Sequence, residues 1–256
     1  NIPAYIIHEI PVWMYDVVDP DEEFSVAHFQ ALASAVIADV IKRGKLPIVV
    51  GGTGLYIRSL THLIETISVP QDSTIRKELS LFSLEQLQEA LQKEDAVNWA
   101  GMNRSDNKNP RRLVRALEVA QWRKNYYTAV LDTPPYDLLW IGLQLDMEVL
   151  KSHIRSRVIA RIDGGALTEV EKYSIKNTEL PVVTSLGITL VKQFLHQKLS
   201  RQELIDKWTN EEFSYAKRQM TWFGKEKSIL WVDTGEKNFD NLVEQHVRSW
   251  YTNGRP

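Results

Sequence analysis

Leu46-Pro47-Ile48-Val49-Val50-Gly51-Gly52-Thr53-Gly54-Leu55-Tyr56-Ile57-Arg58-Ser59-Leu60 is the stretch whose reading decides the fold. A short β-rich apolar run, three glycines around a threonine, and then a helical pattern describe a buried strand that feeds a helix through a tight loop. Such a loop suits an anion. Glycines let the backbone approach a ligand closely, and the helix that follows offers unpaired N–H groups and the positive end of its dipole. Thr53 adds a hydroxyl at that point. Taken alone, Gly51-Gly52-Thr53-Gly54 also fits a plain strand-to-helix turn, so the rest of the chain has to separate the two.

Upstream, Val17-Val18-Asp19-Pro20 reads as a strand running into an acidic surface loop, and Ser25 as the cap of a helix. Phe29, Leu32, Val36, Val40 and Ile41 recur on that helix at helical spacing, and Gly44 sits where a left-handed C-terminal cap is expected. Residues 17–60 thus read as strand-helix-strand-helix, the pattern of a parallel sheet with covering helices. Downstream of Ser73 the pattern is helical. Ser83 to Gln86 fits a capping box, and Asn109-Pro110 fits a cap followed by a first-turn proline. A Tyr-, Thr- and Pro-rich loop spans 126–137, and Leu138 to Leu145 reads as a second buried strand. Asp146 caps a helix that runs to Gly164-Gly165. Further helices are expected near 168–173, 186–198 and 201–221, then a strand at Ile229 to Asp233 and a C-terminal helix. The expected fold is α/β, a parallel sheet with covering helices formed by residues 1–70 and 138–256, with a mainly helical insertion at 71–137.

The 256 residues suffice for a sizeable core. A net charge of −2 means that any nucleic-acid contact has to come from a local basic patch rather than the overall field. The absence of cysteine removes disulfides, thiolate-held zinc and thiol nucleophiles, and favours a cytoplasmic protein. The apolar runs are too short to span a bilayer, so no membrane partner is expected. The six histidines are scattered, without an i, i+4 ligand pair, and no Gly-x-Ser-x-Gly, Gly-x-Gly-x-x-Gly or Gly-x-x-x-x-Gly-Lys-Ser/Thr occurs.

Two basic clusters stand out. On the helix from Pro110, Arg111, Arg112 and Arg115 fall on one face and Leu113, Ala116, Leu117 and Ala120 on the other. Cations near a helix N-terminus oppose the dipole, so such a helix either gains from an anionic partner or carries a solvated charged face. Tyr215 to Phe223 sets Lys217, Arg218 and Gln219 among aromatic residues, a combination able to meet phosphates, base edges and a stacked base. The same residues also fit a helix end whose aromatics join the core. Arg155, Arg157 and Arg161 on the helix after Asp146 share that ambiguity.

At these residues the chain resembles a family. Ile48 to Leu60 is similar to the Val-Gly-Gly-Thr-x-Leu-Tyr segment of the tRNA dimethylallyltransferases, also called tRNA isopentenyltransferases. Asn109 to Val119 resembles that family's Arg-Leu-x-Arg-Ala-Leu-Glu helix, Ala216 to Phe223 its Ala-Lys-Arg-Gln-x-Thr-Trp-Phe segment, and Asp16 to Val26 its Asp-Pro-x-x-x-Phe-Ser segment. The resemblance implies a P-loop-kinase-like core with a helical insertion. The implied activity is transfer of a dimethylallyl group from dimethylallyl diphosphate to N6 of adenine 37 in tRNA, with Mg²⁺ and a monomeric protein. It places Thr53 where diphosphate and adenine meet, with Gly51, Gly52 and Arg157 toward the diphosphate. Arg76, Arg111, Arg112, Arg115, Lys217, Arg218 and Gln219 would meet the anticodon stem-loop.

Several positions depart from the family pattern. The 256 residues hold neither the family's P-loop nor its Asp-Ser-x-Gln segment with the general-base aspartate, so the first strand of the core is expected to be missing and this chain alone to be inactive. Val12-Trp13 stands where a histidine pair is usual, Leu186-Gly187-Ile188-Thr189 replaces Ile-Gly-Tyr-Lys, and Phe213 stands where an arginine commonly precedes Tyr-Ala-Lys-Arg-Gln. The alternatives are a non-catalytic tRNA-binding descendant of the same family and a nucleoside or nucleotide kinase of the same core fold. An unpaired sheet edge with exposed apolar surface is a further expectation.

Overall fold

The computed structural model describes residues 2–20, 22–62, 64–126, 136–172 and 185–253. Most of the expected loop at 126–137 lies outside them. Contacts divide the chain into two compact units, residues 1–60 with 136–256, and residues 61–135.

In the first unit the chain opens with an antiparallel hairpin, β1 (Ala4–Ile7) and β2 (Ile10–Trp13). Its two-residue turn places His8 at φ 48° and Glu9 at φ 67°, the primed-turn geometry that suits the twist of a hairpin. The strand expected at Val17-Val18 is not formed. Helix α1 (Val26–Lys42) begins at Ser25, whose hydroxyl accepts from the His28 amide, and Gly44 follows its end at φ 66°.

The deciding stretch differs from expectation in its first half. Residues 45–53 form no strand, and Ile48 and Val50 are 80% and 90% exposed. The reason is that a strand exists only through a neighbour's hydrogen bonds, and among the described residues no strand pairs with this segment. The second half behaves as expected. Helix α2 (Gly54–Thr61) starts at the last glycine and packs on α1, with Leu60 against Ala33 and Ile37, and Phe29 stacked on Tyr56 at 4.8 Å between ring centroids.

The second unit is helical: α3 (Ser73–Leu79), α4 (Leu84–Glu94), α5 (Ala96–Gly101) and α6 (Pro110–Asn125). Leu79, Leu87, Leu91, Leu113 and Leu117 close its core. Asp72, Ser83 and Asn109 cap α3, α4 and α6 through side-chain oxygens.

Back in the first unit, β3 (Ile141–Gln144) pairs in parallel with β4 (Leu230–Asp233), a shorter strand than Leu138 to Leu145 suggested. Between them lie α7 (Met147–Arg161), a π-helical turn at Ile162–Ala166, α8 (Leu167–Lys172), α9 (Ile188–Leu195) and α10 (Arg201–Phe223). Ile154, Val158, Leu190, Val191, Leu204 and Trp208 form the core that binds these helices together. Lys151 meets Phe213 while Asp163 meets Arg201, so the α7 region and α10 run antiparallel. Helix α11 (Phe239–Asn253) packs on β4. The fold is mixed α/β, rich in helix, with a small parallel sheet.

Candidate functional site

The glycine loop and the end of α10 meet in the first unit. The Thr53 carbonyl accepts the amides of Tyr56 and Ile57 at 2.9 and 3.1 Å, which makes Thr53 the residue that opens α2. Its hydroxyl faces outward to the Tyr215 phenol, 3.3 Å away. The Gly52 carbonyl accepts from the Gln219 side-chain amide at 3.1 Å and from the Tyr215 hydroxyl at 3.5 Å. The approach is close. A Cβ at Gly52 would overlap the Gln219 amide, and one at Gly54 would overlap the Trp222 indole. Gln219, placed among the RNA contacts by sequence, therefore also docks α10 onto the loop. Gly51 is exposed, and Lys217 and Arg218 are exposed beside aromatic rings.

Arg157 lies on the α7 side of the same unit. It donates to Glu212 at 2.5 Å, and Arg161, one turn on, donates to the other oxygen of the same carboxylate at 2.6 Å. The Trp208 indole N–H adds a third bond at 3.0 Å. Glu212 is 5% exposed, so a buried carboxylate fixes two guanidiniums at the rim of a cavity of about 810 Å³, whose wall includes Val191, Ile188 and Trp208. An anion reaching Arg157 there would meet a guanidinium already oriented.

In the second unit the basic face of α6 divides. Arg111 is exposed, and Arg112 is exposed but paired with Asp106. Arg115 turns inward, donating to Glu118 at 2.9 Å and to the carbonyls of Thr66 and Val69 at 2.6 and 2.7 Å. Arg76 completes the cluster with bonds to both oxygens of Glu118, 2.7 and 2.9 Å. Glu118 is 2% exposed. Burial pushes its carboxyl up, and the bonds from Arg76, the Asp72 amide and Arg115 outweigh that and hold it below its usual value. The anionic partner that compensates cations at this helix start is thus partly the protein's own. Arg112 and Arg115 also line a cavity of about 390 Å³ in this unit.

Sequence reading missed Glu118 and Glu212. A signal was available for Glu212, which falls on the apolar stripe of its helix one turn after Trp208, whereas Glu118 falls on the face of Arg111 and Arg115 and reads there as half of an i, i+3 ion pair. Among the described residues no group of three or more His, Asp or Glu side chains gathers to hold a metal.

Residues 3–226 match the IPP transferase family. The chain is 36% identical over 236 residues to a tRNA dimethylallyltransferase of Exiguobacterium, covering 90% of this chain and 75% of that protein. It is 32% identical to the tRNA dimethylallyltransferase of Halalkalibacterium halodurans, covering 95% and 80%. Among solved structures, the full-length tRNA isopentenylpyrophosphate transferase from Bacillus halodurans superposes with a TM-score of 0.61 at 32% identity, over 90% of this chain and 74% of that one. A eukaryotic dimethylallyltransferase acting on tRNA shares the fold, with a TM-score of 0.74 at 24% identity, over 93% and 65%.

Proposed function

Because this chain belongs to the IPP transferase family, we propose that it serves the transfer of a dimethylallyl group from dimethylallyl diphosphate to N6 of adenine 37 in tRNA. In that reaction the N6–carbon bond forms, the carbon–oxygen bond to diphosphate breaks, and N6 gives up a proton. An exocyclic amine is a weak nucleophile, so the leaving diphosphate has to be met by N–H donors and cations, and the adenine has to leave its stack to reach the carbon. The single observation that carries this reading is the seating of α10 on the glycine loop. Tyr215 and Gln219 touch Thr53 and Gly52, which puts a helix with RNA-binding chemistry against a loop with phosphate-binding chemistry.

In this reading the loop around Gly51 and Gly52 and the Arg157 guanidinium face the diphosphate, and Thr53 lies where the diphosphate and the adenine meet. Arg111 and Arg112 on α6, with Lys217 and Arg218 on α10, take the anticodon stem-loop. Arg76 and Arg115 serve that surface by way of Glu118, which fixes the helix that carries Arg111 and Arg112. Magnesium enters as the counter-ion that accompanies the diphosphate. The protein works in the cytoplasm.

A second reading, a non-catalytic tRNA-binding protein, rests on one observation. The Thr53 hydroxyl meets a phenol and no carboxylate, so among the described residues nothing hydrogen-bonded to it can take the N6 proton. Incubation of the chain with unmodified tRNA and labelled dimethylallyl diphosphate, followed by nucleoside analysis, separates the two. Dimethylallyladenosine at position 37 supports the transferase. Tight tRNA binding with no labelled nucleoside supports the binder.

A further inference from the structure

One carboxylate on α10 organises two arginines beside a cavity. Oε2 of Glu212 accepts from Arg157 at 2.5 Å, and Oε1 accepts from Arg161 at 2.6 Å and from the Trp208 indole N–H at 3.0 Å. Both oxygens of this buried group are thereby taken. The arginines are not used up in the same way. Both remain exposed, and among the described residues each gives Glu212 one of the several N–H donors that a guanidinium carries. Two forks tied to the two oxygens of one carboxylate stand side by side, with donors left over for an anion.

The pair borders a cavity of about 810 Å³ whose other walls are largely apolar, Leu186, Ile188, Val191 and Trp208 among them, while Glu169, exposed to solvent, is the acid on its border. The same face of α10 carries the glycine loop. Glu212, Tyr215 and Gln219 are spaced i, i+3, i+7, which sets them on one stripe of the helix in successive turns. Tyr215 and Gln219 bind Thr53 and Gly52, so the arginine pair and the loop are anchored one helical turn apart. Charge alone argues against an acid here, because a carboxylate beside a bound anion repels it. Glu212 is explained by order instead, since two guanidiniums without it repel each other and splay into solvent.

We propose that Arg157 and Arg161 form one clamp for a diphosphate group, that of the prenyl donor in the proposed reaction, and that Glu212 is the positioning residue that sets their spacing. This rests on the transferase reading and adds to Arg157 two residues that the family resemblance does not assign. A diphosphate ester offers two adjacent phosphoryl groups, one to each fork, and its hydrocarbon suits the apolar wall beside them.

The test is calorimetric titration, without tRNA, of inorganic pyrophosphate and of dimethylallyl diphosphate, each with Mg²⁺, into the wild type, Arg161→Gln, Arg161→Lys and Glu212→Gln, with anticodon stem-loop affinity measured alongside. Arg161→Gln is expected to weaken both ligands about tenfold. Arg161→Lys recovers part of that loss, because an ammonium keeps the charge and not the fork. Glu212→Gln weakens both ligands although it makes the site more positive, and stem-loop affinity stays at the wild-type value throughout. Arg161→Gln carries the test by itself if Glu212→Gln does not fold, since Glu212 then keeps Arg157 and Trp208. A pyrophosphate affinity of Arg161→Gln equal to that of the wild type overturns the proposal, as does tighter binding by Glu212→Gln, the result of charge alone. If Arg161→Gln lowers stem-loop affinity and spares pyrophosphate, the pair meets RNA and the clamp falls. If both arginines hold pyrophosphate and the wild type rejects dimethylallyl diphosphate, the clamp stands and the transferase reading falls.

Discussion

Glu118 and Glu212 show how single residues divide the basic clusters into frame and surface. Both carboxylates are buried, and each binds two arginines, Glu118 taking Arg76 of α3 with Arg115 of α6 and Glu212 taking Arg157 and Arg161 of α7. Removing such a carboxylate leaves two guanidiniums competing for carbonyls and water, so Glu118→Gln is expected to destabilise the protein by about 2 kcal/mol in chemical denaturation. The acid limb of stability carries the same signature. The Glu118 carboxyl sits below its ordinary value of 4.5 in the folded protein, so its contribution is complete above that pH and is lost as pH falls through the lowered value. A melting-temperature profile taken down to about pH 3 should fall more gently in Glu118→Gln than in the wild type. On α6, neighbouring arginines should separate by measurement. Arg115→Ala lowers the melting temperature, whereas Arg111→Ala leaves it in place and weakens stem-loop binding by several-fold through one lost phosphate contact.

At the scale of elements, helix starts were legible in the sequence and strands only in part: Leu138 to Leu145 and Ile229 to Asp233 hold β3 and β4, whereas Val17-Val18 and Ile48 to Val50 form no strand. Ser25, Ser83, Asn109, Asp146 and Ser200 cap the helices that the sequence assigns to them, because a cap is a bond between residues two or three apart. Ser200→Ala should accordingly cost about 1 kcal/mol, read as a lower denaturation midpoint. Strands depend on partners far along the chain. Ile48-Val49-Val50 has the composition of a buried strand and no neighbour among the described residues, while the hairpin at residues 4–13 lacks the Asn-Gly or Asp-Gly turn that would have announced it. The site follows the same division. Thr53 and the Lys217 to Gln219 segment could be named from their motifs, whereas Glu212 could not be matched to arginines 51 and 55 residues away without the packing of α7 on α10.

For the molecule as a whole, the near-neutral charge and the exposed apolar segment set the behaviour in solution. With a net charge of −2, long-range attraction to RNA is weak, and binding has to come from local groups of cations, which makes it steeply salt-sensitive. Ile48 and Val50, with Ile6 and Ile10 of the hairpin, leave apolar side chains open to solvent. Such surface invites association and dye binding, so the chain should show concentration-dependent self-association that Val50→Asp reduces without lowering the melting temperature. Sedimentation across a concentration series reads that directly. The central claim is that α10 seated on the glycine loop makes one site for the target adenine, and Gly52→Ala addresses it most directly, since the added Cβ displaces Gln219. The measurement is the affinity of wild type and Gly52→Ala for stem-loops with adenine or guanine at position 37, at one fixed salt concentration. The account predicts that the wild type prefers adenine and that Gly52→Ala loses the preference while keeping most of its salt-dependent binding. An adenine preference unchanged by Gly52→Ala would contradict it.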